Sequence, residues 1–467
     1  MKIAFHGAAR TVTGSKHLLV LQDGKKLLLD CGMFQGMGPE TDQLNANFGF
    51  DPASVSYLVL SHAHIDHCGL IPRLVKEGFK GTIFSTPATR ELAAILLQDS
   101  AEIQRDDTRF INKRRAAKGL PLYEPLYDVE DTLQAMELFQ AVNYNEWKKI
   151  DNHIEVMFTD AGHIIGSSAV HLKVTENGQT TRISFSGDVG RYNDAILRSP
   201  AAFDQADHIL LESTYGNRLH TNVSGTTDAI YEWIHKTCVE KKGKLIIPSF
   251  SVGRTQELLY YLNQLELENR LPAVPVYVDS PLSKEATDLV KAYPQYFNDT
   301  IRKIMESDSD PFDFKGLAFI RSADESKRLN ELPQPCVIIS ASGMADAGRV
   351  KHHIKNNIHD KKNTILLVGY CEPASLGGRL MNGAKHVRIY GEMYDVVCEV
   401  GRIQSMSAHG DYHDLFHFIE GQDPAKLKTL FLVHGEYDVQ QEFAEKLQAK
   451  GYHNVIIPEL HSETVLS

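Results

Sequence analysis

The run Ser61-His62-Ala63-His64-Ile65-Asp66-His67-Cys68-Gly69 places four potential metal ligands within six residues. It follows the apolar run Val55-Ser56-Tyr57-Leu58-Val59-Leu60, which reads as a buried strand. A helix interior would scatter these side chains around its axis, whereas a tight loop leaving a strand can aim all four into one pocket. Imidazole and carboxylate are ligand types that zinc accepts at neutral pH. Such a set either closes one structural site or is shared between two adjacent ions that keep a position open for water. The second arrangement suits hydrolysis.

Further ligand-competent residues follow, each at the end of a strand-like run and among small residues. Ile154 to Ala161 leads into Gly162-His163, and Arg182 to Phe185 into Ser186-Gly187-Asp188. Glycine there lets the backbone pass close to a metal or a substrate. Ile209-Leu210-Leu211-Glu212 is a buried strand ending on glutamate, which implies a partner for the carboxylate. Ser407-Ala408-His409-Gly410 and Val433-His434-Gly435 repeat the pattern near the end of the chain. Asp30 closes a strand that begins after the Asp23-Gly24 hairpin turn.

From Lys244 onward strand and helix alternate: Lys244–Phe250, Pro275–Ser280, Cys336–Ser340 and Thr364–Tyr370 each precede a helical segment. That reads as a parallel α/β sheet, which binds ligands at the C-terminal ends of its strands. Ser249, Arg254, Ser342 and Gly343 lie at two such ends. Ser and Gly amides there suit an anion such as phosphate. Before this, residues 70–77 read as an amphipathic helix and residues 86–115 as one or two helices. Leu92, Ile95, Leu96 and Ile103 form a core stripe along the latter.

The length, 467 residues, suffices for two or three domains. Six cysteines are scattered singly with no C-x-x-C pair, which fits a reducing cytosol rather than a disulfide framework or a cysteine zinc site. No apolar run approaches the ~20 residues that span a bilayer. Met1 leads directly into a strand-like run without a signal peptide ahead of it, so a cytoplasmic location is expected. The net charge of −11 argues against non-specific nucleic-acid binding by the surface as a whole. The basic cluster Arg105, Lys113, Arg114, Arg115 and Lys118 reads as solvated surface charge.

His62-x-His64-x-Asp66-His67 resembles the signature of the metallo-β-lactamase superfamily. Glu212 in Glu-Ser-Thr-Tyr-Gly, His409 in Ser-Ala-His-Gly-Asp and His434 in Val-His-Gly-Glu resemble the three extra motifs of its β-CASP branch. That branch holds nucleases such as the nuclease subunit of the cleavage and polyadenylation specificity factor and its bacterial relatives. The resemblance runs almost the whole length of the chain. It implies an αββα metallo-β-lactamase sandwich with an inserted parallel α/β β-CASP domain. Residues 1–216 and 402–467 would form the sandwich, and residues 217–401 the insert.

The resemblance further implies two zinc ions, with manganese as the alternative. His62, His64 and His163 would hold one ion, Asp66, His67 and His434 the other, and Asp188 would bridge them. Asp30 would orient the metal loop from behind. His409 would be the general acid, held by Glu212. The implied activity is hydrolysis of single-stranded RNA in processing or decay, with no membrane partner and a homodimer left open. A DNA nuclease of the same branch and a small-molecule metallo-hydrolase are the competing readings. RNA-processing members carry a histidine where this chain has His434, and small-molecule hydrolysis needs neither the insert nor the Glu212 and His409 motifs.

Overall fold

A computed structural model describes residues 1–220, 225–369, 371–403 and 405–466. The chain forms two compact units, the first from residues 1–194, 198–219 and 409–467 and the second from residues 195–197 and 220–408.

The first unit is built on two seven-stranded sheets. One runs in the order Glu463–Val465, Lys2–Phe5, His17–Val20, Lys26–Leu29, Tyr57–Val59, Thr82–Ser85, Phe139–Ala141. Its hairpin forms at Asp23-Gly24, where Gly24 adopts φ +85°, a conformation glycine reaches without steric cost. The other runs Val455–Ile456, Thr429–Val433, His208–Glu212, Gln179–Phe185, Ser168–Glu176, Ile154–Asp160, Lys148–Lys149. Side chains alternate across a strand, so each sheet buries one set inward. Phe5, Leu19, Leu29, Val59 and Phe84 from the first sheet meet Val156, Phe158, Leu172, Phe185, Leu210 and Phe431 from the second in one core.

The outward set is buried as well, which is why these strands read as continuous apolar runs. Ile209, Leu211, Leu430 and Leu432 pack against Leu415, Phe418, Phe443 and Leu447 of the helices Tyr412–Ile419 and Tyr437–Ala449. On the other sheet, helices Ile71–Lys76, Pro87–Ala116 and Val129–Glu137 lie in the crossovers between parallel strands. The result is the αββα sandwich.

The second unit carries a six-stranded sheet of parallel strands, in the order Leu317–Phe319, Val276–Asp279, Cys336–Ser340, Lys244–Pro248, Thr364–Val368, Glu399–Ile403. Glu399–Ile403 pairs with Thr364–Val368, which carries this unit on to Ala408. No helix among the described residues is long and apolar enough to cross a membrane.

Two local expectations change. The second half of the ligand loop is a single helical turn, Ile65–Cys68, capped by the His64 carbonyl, which accepts from His67 N and Cys68 N. Residues 87–116 form one helix, whose predicted core stripe fails at Ile103, 54% exposed, because the helix has left the body of the unit by then.

Candidate metal centre

The residues named in the four-ligand loop, at His163, at Asp188 and at His434 converge in the first unit. His64 Nδ1 lies 3.2 Å from both His62 Nε2 and His163 Nε2. His67 Nε2 and His434 Nε2 are 3.3 Å apart, and His434 Nε2 is 3.3 Å from Asp66 Oδ2. Asp188 faces both groups. Its Oδ2 is 3.4 Å from His62 Nε2 and 3.5 Å from His163 Nε2, and its Oδ1 is 3.3 Å from His67 Nε2.

Parallel strand pairing explains the convergence. His208–Glu212 runs parallel to both Gln179–Phe185 and Thr429–Val433, so Asp188, Glu212 and His434 emerge at the same sheet end. Gly187, at φ +55°, makes the turn before Asp188, where a Cβ would stand 2.9 Å from Ser168 O and from Ser61 Cβ. His434 also has positive φ, +51°, and its backbone is held from both sides: His434 N donates to Ala8 O and Ser213 N to His434 O.

Hydrogen bonds behind the cluster fix the imidazole tautomers. Asp30 is fully buried and accepts from Ser61 N at 2.8 Å, Ser61 Oγ at 2.9 Å and His67 Nδ1 at 2.7 Å. The Ser61 hydroxyl proton is committed to Asp30, so Ser61 Oγ accepts from His62 Nδ1 at 3.1 Å. Thr214 Oγ1 donates to the His434 carbonyl and accepts from His434 Nδ1 at 3.0 Å. His62, His67 and His434 therefore each carry their N–H on the outer nitrogen and turn a lone pair inward. Ser61 and Thr214 escaped the sequence reading, although each adjoins a ligand or Glu212 motif. Their hydroxyls are informative only once their partners are known.

Inward lone pairs facing one another and a carboxylate repel unless a cation lies among them. Asp188 Oδ1, buried, has no hydrogen-bond partner among the described residues. Both observations fit a bound metal. Electrostatics agree. Burial pushes His62 to about 3, His64 to about 4 and His163 well below its ordinary value, so all three are neutral and ligand-ready. His67 runs the other way: burial lowers it, but the Asp188 and Asp66 carboxylates outweigh burial and hold it well above the ordinary value. That field favours positive charge, which a metal cation would supply in place of the proton.

Beside the cluster, His409 Nδ1 lies 3.2 Å from Glu212 Oε1. Glu212 is fully buried at its strand end and also accepts from Val189 N and Thr214 N. Burial alone would lower His409, but Glu212, then Asp188 and Asp66, push it up to about 9.

In the second unit the four expected anion contacts lie at neighbouring strand ends. Ser249 N donates to Ser340 O, and a Cβ on Gly343 would meet the Phe250 ring. Ser342 Oγ donates to Ala347 O, and Arg254 is ion-paired with Glu257 one turn along its own helix.

A buried His/Asp cluster between strand ends of an αββα sandwich, with a carboxylate-held histidine beside it, defines a metal-dependent hydrolase. Comparisons agree. Residues 11–246 match the Metallo-beta-lactamase superfamily, residues 255–380 the Beta-Casp domain, and residues 393–458 the Zn-dependent metallo-hydrolase RNA specificity domain. The chain is 34% identical to "Ribonuclease TTHA0252" of Thermus thermophilus, covering 97% of both chains. It is 32% identical to "RNase J-like protein" of Methanocaldococcus jannaschii, covering 95% of this chain and 94% of the relative. It is 28% identical to "Transcription termination factor FttA" of Methanosarcina mazei, over 96% of this chain and 69% of that one. The chain belongs to the metallo-β-lactamase superfamily, in its β-CASP branch.

Proposed function

We propose that the protein is a ribonuclease that hydrolyses phosphodiester bonds of single-stranded RNA with two zinc ions. The observation that carries this reading is Asp188, one oxygen of which faces each histidine group. His62, His64 and His163 would hold one ion, Asp66, His67 and His434 the other, and Asp188 would be shared. Five imidazoles favour zinc over manganese, which prefers oxygen ligands. When bound, the ions supply Lewis acidity, neutralising charge on the non-bridging phosphate oxygens and making an attacking water acidic near neutral pH.

The chain's own residues do the rest. Asp30, Ser61 and Thr214 keep inward nitrogens deprotonated by taking the outer N–H of His67, His62 and His434. Glu212 accepts a hydrogen bond from His409 Nδ1–H and stabilises the cationic imidazole, so that Nε2 can give a proton to the leaving 3′ oxygen. Ser249, Ser342 and Gly343 are the proposed phosphate contacts; Arg254 can join them by sharing its bond with Glu257. The ribonuclease relatives support RNA as the polymer, and His434 matches the residue that RNA-processing members carry.

The test compares matched RNA, DNA and a β-lactam as substrates of zinc-loaded protein. Cleavage of RNA alone is the expected result, and turnover of the β-lactam alone would overturn the reading.

A further inference from the structure

The helix Pro87–Ala116 has two halves of different character. Ala88, Leu92, Ala93, Leu96 and Leu97 are buried, but no residue after Ala101 is. Its distal half projects as an arm, and residues 117–126 return along it. Asn112 brackets Tyr123, donating to its carbonyl at 2.9 Å and accepting from its N–H at 2.7 Å, while Leu126 N donates to Gln104 Oε1 at 3.1 Å. Arg115 Nε donates to Pro121 O. One side of the arm is thus used to hold the returning segment.

The other side is basic. Arg105, Arg109 and Lys113 follow one another at four-residue spacing, Phe110 and Arg114 lie beside them, and Lys118 is at the tip. Asp106 lies 3.5 Å from both Arg105 and Arg109. Beyond Asp106 and Asp107, residues 108–123 contain five cations and no carboxylate, in a chain whose net charge is −11. Among the described residues Lys113, Arg114 and Lys118 form no ion pair. The Arg114 guanidinium lies 4.4 Å over the ring of Phe110, itself 57% exposed. Like charges one turn apart repel, and an exposed ring beside them gains nothing from water. A polyanion with flat bases relieves both conditions. Acidic protein surfaces supply the charge but not the rows of stacking faces.

The arm is tied to the metal centre at its root. Thr86 Oγ1 and Thr89 Oγ1 donate to Gly166 O at 2.7 and 2.8 Å, in the loop where Ser167 Oγ accepts from His163 N. From Thr89 to Arg114 the helix axis runs about 37 Å.

We propose that Arg109, Lys113, Arg114 and Lys118, with Phe110, form a second binding surface for the RNA backbone, engaged by parts of the strand far from the bond being cut. The proposal takes its polymer from the ribonuclease reading. Long strands should therefore bind more tightly than short ones, and only long strands should depend on the tip.

The test uses the full chain and its K113Q/R114Q/K118Q and F110A variants, leaving Arg115 to hold the arm. Fluorescence anisotropy measures affinity for an oligonucleotide spanning only the cleavage site and for an unstructured strand many times longer. For the triple variant, affinity for the long strand should fall about tenfold, and the slope of log K against log salt by about 2. F110A should weaken long-strand binding about fivefold or more. Short-strand affinity and turnover should be unchanged, which also shows that the variants are folded. Unchanged long-strand affinity overturns the proposal, including where light scattering shows instead that the substitutions alter self-association. Equal loss on both strands overturns it too. Tip-dependent binding of long RNA by a protein that cuts no RNA would leave this surface standing and defeat the ribonuclease reading.

Discussion

His409 Nδ1 stands 3.2 Å from Glu212 Oε1, across 197 positions of sequence. This carboxylate favours the protonated form of a partly exposed imidazole, beside a cluster in which burial holds His62, His64 and His163 neutral. Replacing His409 with alanine should cost about 10²–10⁴ in kcat while leaving bound metal unchanged. Paired rate and metal-content measurements check this, and an unaltered rate removes His409 from the chemistry.

Glu212→Gln keeps the shape of the contact and removes its charge. Burial then dominates and His409 titrates at lower pH. The acid form is the active one, so the alkaline limb of the kcat/KM profile should move to lower pH. A limb that stays in place would show that another group controls it.

Asp188→Ala should lose metal and activity together, because this residue faces both groups of ligands. Asp30→Asn should weaken metal binding about 10–100-fold without touching the ions, through the tautomer of His67. Metal titration separates the two, and full occupancy in Asp188→Ala would contradict sharing.

His171 is buried between Thr159 Oγ1 and Ser184 Oγ, and burial drives it down to about 3. Between that value and the ordinary 6.5 the unfolded chain binds a proton that the folded one refuses. Stability from this group is full above 6.5 and is lost as pH falls toward 3, at up to about 1.4 kcal/mol per pH unit. Denaturant unfolding of His171→Gln should show a pH slope shallower by one proton in that window. An identical slope would contradict a neutral native imidazole.

Gly32 passes so close to the metal loop that a Cβ would lie 1.6 Å from the Asp66 carbonyl oxygen. Gly32→Ala should cost about 1–3 kcal/mol and weaken metal binding by displacing that turn. Calorimetry with and without metal checks both effects.

The four-ligand loop marks a metal candidate by itself, whereas His163, Asp188 and His434 join it only through the resemblance to the superfamily's motifs, because a lone strand-end His or Asp more often serves a turn; the structure brings all seven together. Glu212 announces a partner on separate grounds: a charge ending a core strand needs one. Ser61 and Thr214 were not legible, since a hydroxyl's role depends on which lone pair it meets. The stripe through Leu92 and Ile103 misled because helical periodicity continues after a helix leaves its core. Arg254 stands at the expected strand end, and the sequence alone does not show that Glu257, three residues on, answers its charge within the same helix.

The most direct test of the account is cleavage of one RNA, labelled separately at its 5′ and 3′ ends, by metal-stripped protein and by the same protein reloaded with zinc. The account predicts intact RNA without metal and cleavage after reloading to two zinc ions per chain. RNA left intact by the fully loaded protein, or cut equally well by the stripped one, would contradict it.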